Sequence, residues 1–401
     1  MPQGPLTSLR VVEIGEYISA PYCSKLLADL GAEVIKVEPL PGGDRVRMKG
    51  PFLPDTPHPE GSALFIYLNT NKYGVTLDLE KATGREILHR LLAQADFMVD
   101  NHLPREVERL GLDYPTLHER HPRLIPVYIT PFGLSGPYRD YVASDLVSFH
   151  MGGFGYHCPG KLENPEEQPP LRAGGRQSHF VGGLYAATGA LHAWFCREFS
   201  GEGALVDQSE QEAVASMLYG PGTGAEQQDK RGHGSGGIEI RPLACKDGYF
   251  GFTALQEHHW NSWMEIMGNP EWAQDERIAN PATRMQNLGL ANARIEEWAQ
   301  QYTKVELHLM GQESRVPVLP VNTTEEAVKS PQLEERGYFV EASHSSGNKV
   351  VVPGAPYKFS ATPWDLRLPA PRLGEHTEMI LRERIGMDKE EVAALKKSGL
   401  L

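Results

Sequence analysis

Residues 9–40 read "LRVVEIGEYISAPYCSKLLADLGAEVIKVEPL", and this stretch decides the fold class. The apolar runs "RVVEI" and "EVIKVE" have the length of buried strands. Between them, "APYCSKLLADLGA" has a helical pattern and closes at Gly31, a common helix stop. A strand, a helix and a second strand in this order predict a βαβ unit with parallel strands.

The same alternation continues along the chain. "GVTLDL", "TGREILHRLLAQA" and "DFMVDN" predict strand, helix and strand, with Thr83 and Glu86 spaced as a capping box. "PREVERLGLDYPTLHERHPRLIPVYI" again predicts helix followed by strand. Strands and helices that alternate over the first 130 residues favour an α/β fold with a parallel sheet covered on both faces.

The length of 401 residues predicts more than one core. We assign residues 222–320 to a smaller α+β domain. It contains the glycine-rich "RGHGSGG" and "RPLACKDGYFGFTA", which predicts a hairpin that turns at Asp247 and Gly248.

Composition excludes several functional classes. A net charge of -13 argues against a nucleic-acid or anionic-membrane binder, and no segment has the ~20 apolar residues of a membrane span. Four cysteines without a CxxC pair, and an N-terminus without a signal pattern, predict a cytoplasmic protein with reduced thiols. The adjacent histidines of "EHHW" cannot share one helical face, so we expect no metal site.

A dinucleotide-binding interpretation meets one of its two requirements. Glu38 ends the second strand, where a carboxylate could hold a ribose hydroxyl. The first turn, "GEYISAPY", lacks the G-x-G-x-x-G pattern. A nicotinamide or flavin enzyme is therefore disfavoured.

Eight segments carry a resemblance to a known family: "PLTSLRVVEIGEYISAPYCSKLLADLGAEVIKVEPLPGGDRVR", "LNTNKYGVTLDL", "ADFMVDNHLPREVERLGLDY", "PRLIPVYITPFGLSGPY", "SDLVSFHMGG", "TGALHAWFCREFSGEGALVD", "PVNTTEEAVKSPQLEERGYFVE" and "APRLGEHTEMIL". In order and spacing they resemble the class III CoA-transferases, the group of formyl-CoA transferase, carnitine CoA-transferase and alpha-methylacyl-CoA racemase. The resemblance implies a large Rossmann-like CoA-binding domain built from residues 1–221 and 321–401. It also implies a homodimer of two interlocked rings.

The resemblance implies a reaction as well. In this family an aspartate attacks the carbonyl of an acyl-CoA, which gives a mixed anhydride and releases CoA for a second carboxylic acid. The expected partners are therefore an acyl-CoA and a carboxylic acid, with coenzyme A as part of the substrate and no metal.

The aspartate position falls on His179. The small-residue helix "GGLYAATGAL" fixes the alignment without gaps, and no acidic residue lies between Glu167 and Glu198. His179 could be a nucleophile, a base that removes a proton beside the thioester, or a residue that only fills the space. In the racemase branch a histidine precedes the aspartate matched by Asp145; here that position is Ser144, so ordinary racemase chemistry is not expected.

The family's CoA-binding positions are partly retained. By resemblance we assign CoA or acyl-group binding to Ile18, Ser19, Lys72, Asn101, His102 and Arg109. Pro39, Tyr73 and Leu103 stand where family members often have basic residues.

The loop "RGHGSGG" matches the family's glycine loop. Its backbone amides, at Gly234, Gly236 and Gly237, are expected to stabilise the oxyanion over the reacting carbonyl. His233 within it is a further acid–base candidate.

The sequence therefore predicts an enzyme that transfers CoA between carboxylic acids. Two alternatives stay open: an acyl-CoA lyase or isomerase with His179 as base, and a catalytically silent acyl-CoA-binding paralogue.

Overall fold

The structure, a computed structural model, describes residues 4–53, 55–157, 167, 169–218, 242–254, 256–343 and 349–401. The chain divides into two compact units. The first comprises Met1–Pro159, Pro169–Pro221 and Arg336–Leu401, and the second Gly160–Gln168 and Gly222–Glu335. In this division the chain re-enters the first unit at Arg336, whereas the sequence analysis places that boundary at residue 321. The domain assignment stays a prediction.

A six-stranded parallel sheet forms the centre of the first unit. Its strands are β1 (Arg10–Glu13), β2 (Glu33–Glu38), β3 (Lys72–Thr76), β4 (Phe97–Asp100), β5 (Ile125–Thr130) and β6 (Val206–Ser209). They lie in the order β3-β2-β1-β4-β5-β6, the order of the Rossmann fold. All five pairings are parallel, with Val11 opposite Val34 between the first two strands. The predicted α/β fold with a parallel sheet is confirmed.

Helices cover both faces of this sheet, because successive strand residues point to opposite sides. The helices before the second unit are α1 (Ser19–Asp29), α2 (Ala63–Asn69), α3 (Ala82–Leu92), α4 (Pro104–Leu110), α5 (Tyr114–Arg120), α6 (Asp145–Met151), α7 (Gln177–Ser200) and α8 (Glu210–Ala215). Val11 of β1 packs in a core with α1 and α7, whereas Val12 packs in a second core with α3. The predicted capping box at Thr83 is wrong: the N-cap of α3 is Lys81, two residues earlier, and Lys81 makes no side-chain cap bond.

The second unit is a small α+β body. An antiparallel sheet of β7 (Pro242–Cys245), β8 (Gly248–Phe252) and β9 (Val318–Pro320) packs against helices through a core centred on Trp263. The helices are α9 (Glu257–Ile266), α10 (Glu276–Ala279), α11 (Pro281–Gln286), α12 (Leu288–Ala299), α13 (Lys304–Glu313), α14 (Thr324–Val328) and α15 (Pro331–Glu335). The hairpin predicted from "RPLACKDGYFGFTA" is confirmed by the β7–β8 pair.

The C-terminal part of the chain completes the first unit. It contains the antiparallel pair β10 (Phe339–Ser343) and β11 (Lys349–Pro353), then α16 (Thr377–Ile385) and α17 (Lys389–Lys397). The Thr377 hydroxyl accepts a bond from the backbone N–H of Thr76, 3.1 Å away, so α16 is anchored to β3. Thus both terminal parts build this unit, although all six strands of its parallel sheet come from residues 10–209. No helix in the described part of the chain is long and apolar enough to cross a membrane.

Candidate active site

The candidate site lies where the strand order of the sheet reverses. β1 and β4 are neighbours, but their chains continue to opposite sides of the sheet, which opens a crevice at their carboxyl ends. The residues after β1 (Gly15 to Ser19) and after β4 (Asn101 and His102) border this position. Ligands of open α/β sheets bind in such a crevice.

Asn101 holds the turn that follows β1. Its amide nitrogen donates to the carbonyl of Glu16 (2.7 Å) and to the hydroxyl of Ser19 (3.1 Å), and its amide oxygen accepts from the N–H of Glu16 (2.8 Å). The structure therefore brings together Asn101 and Ser19, two of the residues assigned from the sequence. Ile18, also assigned, is fully buried at the start of α1.

His102 is paired with a buried carboxylate. Its Nδ1 lies 2.6 Å from Oδ1 of Asp100, and its Nε2 lies 3.9 Å from Oε1 of Glu16. The negative charge of Asp100 outweighs the desolvation of the ring and raises the pKa of His102 to about 9. His102 is consequently a cation at neutral pH.

Tyr17 connects the first turn to α7. It has a left-handed backbone conformation (φ 71°), which a bulky residue adopts only under constraint, and Asp44 Oδ1 accepts its N–H at 2.9 Å. The ring meets the His179 ring edge to face, with centroids 5.4 Å apart. The guanidinium carbons of Arg45 and Arg176 lie 5.0 and 5.6 Å from the same ring.

His179 forms a hydrogen-bonded pair with Glu210. Nδ1 lies 2.8 Å from Oε1 of Glu210, whose side chain is 4% exposed and whose Oε2 accepts from the Ser148 hydroxyl at 3.2 Å. Because an ionised carboxylate only accepts, the pair assigns the proton to Nδ1 and leaves Nε2 of a neutral ring with its lone pair. A histidine oriented in this way can act as a base or as a nucleophile.

The start of α7 is fixed by two neighbouring elements. Asp145 Oδ1, at the start of α6, accepts from both the N–H (3.0 Å) and the hydroxyl (2.7 Å) of Ser178. Gly183 lets α7 approach α1 closely, since a Cβ there would lie 2.6 Å from the Ser19 carbonyl oxygen. These contacts set the position of His179 beside Tyr17.

Lys72 and Arg109 are committed to other partners. The Lys72 ammonium is buried and donates to Oε2 of Glu13 (2.8 Å), the Pro21 carbonyl (2.8 Å) and the Asn69 amide oxygen (3.0 Å). Its three N–H bonds are therefore all used, and a contact with CoA would require breaking one. Arg109 is exposed and paired with Glu80 and Glu106. Their binding roles stay predictions.

The glycine loop lies outside the described residues, and so Gly234, Gly236 and Gly237 also stay predictions, as does His233. Within the described ranges, no group of three or more His, Cys, Asp or Glu side chains could hold a metal ion. Glu257 of "EHHW" instead pairs with Arg284 at 2.9 Å.

Three site residues were missed by the sequence analysis. Glu210 lies 31 residues after His179 along the chain. Arg176 directly precedes α7, and Tyr17 lies in the turn between β1 and α1. None of the three stands in a motif, so the fold alone brings them together.

Comparison with known proteins identifies the family. The sequence profile described as CoA-transferase family III matches residues 6–377. Succinyl-CoA:(R)-benzylsuccinate CoA-transferase subunit BbsE of Thauera aromatica is 34% identical, over 93% of this chain and 93% of that protein. Formyl-CoA:oxalate CoA-transferase of Bradyrhizobium diazoefficiens is 31% identical, over 99% and 97%.

A solved structure agrees with these sequence matches. The CAIB/BAIF family protein of Brucella suis superposes with a TM-score of 0.84 at 29% identity, covering 95% of this chain and 100% of that one. The resemblance stated from the sequence is confirmed over nearly the whole chain. The protein is a member of CoA-transferase family III.

Proposed function

We propose that this protein transfers CoA from an acyl-CoA to a second carboxylic acid, with His179 as the group that accepts the acyl moiety. The observation that carries the proposal is the 2.8 Å bond from His179 Nδ1 to buried Glu210. It points the Nε2 lone pair away from the carboxylate and stabilises the positive charge that the ring acquires on attack. Family membership supports a CoA thioester as the donor.

The steps balance without an external reagent. Nε2 attacks the thioester carbonyl, the C–S bond breaks, and CoA leaves as the thiolate. The carboxylate of the second acid then attacks the acyl-imidazole carbonyl, which forms a mixed anhydride and returns the histidine. CoA thiolate attacks the acceptor's carbonyl in the anhydride, so that the new thioester and the donor's free carboxylate are the products.

The same pair suits a second reaction. A histidine whose Nδ1 proton is held by a carboxylate is also the arrangement of a general base. Removal of a proton beside the thioester would give isomerase or lyase chemistry, which requires no second acid. The need for an added carboxylic acid separates this alternative from CoA transfer.

A third candidate follows from the name of a relative. The Thauera aromatica protein is named as a subunit of its CoA-transferase. This chain, with a histidine assigned to the family's aspartate position, could likewise serve beside an active subunit and hold acyl-CoA without reacting. Such a subunit would bind acyl-CoA but show no turnover alone.

The test is a mass-spectrometric assay on a panel of acyl-CoA donors and free acids. The wild-type protein is compared with His179→Ala, Glu210→Gln and the control His192→Ala, an exposed histidine on the same helix α7. CoA transfer predicts an acyl adduct on His179 and exchange that depends on the added acid. Glu210→Gln should slow exchange by about 10²- to 10⁴-fold, because an amide no longer selects the tautomer.

The other outcomes assign the alternatives. Solvent deuterium that enters the acyl group without added acid, and is lost in His179→Ala, supports the base. Acyl-CoA binding without turnover supports the silent subunit. Exchange that survives in His179→Ala would contradict the proposed role of the histidine.

A further inference from the structure

Two described contacts act on the His179 ring. Its Nδ1 lies 2.8 Å from Oε1 of Glu210, and its plane lies at 82° to the Tyr17 ring, with the centroids 5.4 Å apart. A single hydrogen bond leaves a ring free to turn about that bond, because the bond fixes one atom and not a plane. The perpendicular Tyr17 ring supplies the contact that fixes the plane of the imidazole.

Tyr17 is itself held in an unfavourable backbone conformation. Its φ of 71° lies in the left-handed region, which a bulky residue adopts only where its surroundings impose it. The backbone N–H of Tyr17 donates to Oδ1 of Asp44 at 2.9 Å. Without that acceptor, the turn could relax to an ordinary conformation and carry the ring away from His179.

Asp44 is anchored on its other side by a buried cation. Its Oδ2 forms an ion pair with Nζ of Lys36 at 2.9 Å, and both side chains are fully buried. Its Oδ1 also accepts the N–H of Val46 at 2.8 Å. Lys36 donates in turn to the carbonyl of Gly15 at 3.1 Å, two residues before Tyr17. The carboxylate therefore has a fixed position from which it can impose the left-handed turn.

The residue type at position 17 argues for more than a structural turn. Glycine and asparagine adopt the left-handed region at a lower cost than tyrosine, so a turn with no further task would favour one of them. Tyrosine keeps an aromatic ring beside His179 in spite of the strain. Strained residues of this kind cluster at functional sites, where the strain serves pre-organisation.

We propose that Tyr17 and Asp44 are positioning residues for His179. Asp44 holds the left-handed turn at Tyr17, and the Tyr17 ring holds the imidazole in the plane in which Nδ1 faces Glu210. Neither residue exchanges a proton or forms a bond with the acyl group. The inference rests on the proposed function, because it concerns the same histidine.

The consequence of this positioning is a defined tautomer. The proton is restricted to Nδ1 only while the ring keeps the plane in which Nδ1 meets the Glu210 carboxylate. In a ring that is free to turn, the form with the proton on Nε2 becomes populated. That form has no lone pair on Nε2 with which to attack a carbonyl or remove a proton.

The experiment reads the tautomer of His179 directly. Nitrogen NMR spectra of protein with isotopically labelled histidine distinguish a protonated ring nitrogen from an unprotonated one, and the His179 signal is assigned by its loss in His179→Gln. Tyr17→Phe, which keeps a ring, is compared with Tyr17→Leu, which does not. Tyr249→Leu, at an exposed tyrosine on β8, is the control.

A second matched pair tests Asp44. Asp44→Asn and Asp44→Ala both remove the charge beside Lys36, but only asparagine keeps an oxygen that can accept the Tyr17 N–H. The difference between these two variants therefore isolates the acceptor from the ion pair. If Asp44→Ala does not fold, the comparison of Tyr17→Phe with Tyr17→Leu still decides whether the ring positions the histidine.

We expect the neutral His179 ring to carry its proton on Nδ1 in the wild type, Tyr17→Phe, Asp44→Asn and the control. In Tyr17→Leu and Asp44→Ala the form with the proton on Nε2 should appear. The kcat for CoA transfer should fall by about 10- to 100-fold in these two variants, with KM little changed. The double variant should show no larger change than Tyr17→Leu alone, because Asp44 acts through Tyr17.

The tautomer is measured without turnover, so the two proposals can fail separately. If the tautomer changes as expected but no protein transfers CoA, the proposed function fails and the positioning role stands. If the wild type transfers CoA and Tyr17→Leu keeps its proton on Nδ1, the function stands and the positioning role is overturned. Identical spectra for Asp44→Asn and Asp44→Ala, or a further change in the double variant, would overturn the role of Asp44.

Discussion

The His102–Asp100 pair predicts a specific dependence of stability on pH. Asp100 raises the pKa of His102 to about 9 in the folded protein, whereas an unfolded histidine has a pKa of about 6.5. A folded pKa above the unfolded one means that the folded state binds the proton more tightly. The stabilisation is therefore complete below pH 6.5 and is lost as the pH rises from 6.5 to 9.

The expected magnitude follows from the shift. Two and a half pKa units correspond to a ceiling of about 3 kcal/mol in the free energy of unfolding. The His102 side chain is 29% exposed, and water screens part of the interaction, so we expect about 1 to 2 kcal/mol.

The perturbation is His102→Asn, which keeps a donor near Asp100 and removes the titration. Free energies of unfolding are measured by urea denaturation from pH 6 to 9.5 for the wild type, His102→Asn and the control His192→Asn. The wild type should lose its advantage over His102→Asn progressively between pH 6.5 and 9, while the control should follow the wild type. A difference between wild type and His102→Asn that is constant across this range would refute the reasoning.

Two further predictions concern stability. Gly183→Ala should destabilise the protein by about 1 to 3 kcal/mol, because its Cβ would collide with the Ser19 carbonyl. Gly289→Ala should instead stabilise α12 by up to about 1 kcal/mol, because no atom lies within 4 Å of the new Cβ. Thermal melts of both variants test this contrast. Burial, with Arg120 and His121, lowers the pKa of His89 to about 4, so stability should be lost as the pH falls from 6.5 to 4. Acid denaturation of His89→Gln should show a smaller loss of unfolding free energy between pH 6.5 and 4 than that of the wild type. The same acid profile in both proteins would contradict this prediction.

The first five strands of the sheet could be predicted because each is a short apolar run bounded by helix signals, whereas β6 has the polar sequence "VDQS" and was not predicted. β1 and β2 match "RVVEI" and "EVIKVE" within one residue. The strand order could not be obtained in this way, because it depends on which helices cross to which face. The N-cap of α3 was misplaced by two residues, since the Thr83–Glu86 spacing is also compatible with a position inside the first turn.

Prediction from sequence has the same limit for the side chains of the candidate site. Asn101 could be assigned because it stands in a segment that resembles the family, and His179 because the adjoining "GGLYAATGAL" fixes the alignment. Lys72 was assigned to CoA, but its partner Glu13 is 59 residues away along the chain, and sequence patterns do not reveal such a pairing. The pairing of Glu210 with His179, 31 residues apart, could not be predicted for the same reason. Long-range charge pairing is decided by the fold.

The bond between His179 and Glu210 also constrains how this protein can change over evolutionary time. Substitution of His179→Asp alone would place a second carboxylate next to that of Glu210 in a buried position, where two such groups cannot both ionise. An ionised aspartate at position 179 thus requires a compensating change such as Glu210→Gln, before or together with it. Each single substitution removes the partner of the other residue, so positions 179 and 210 are expected to change together.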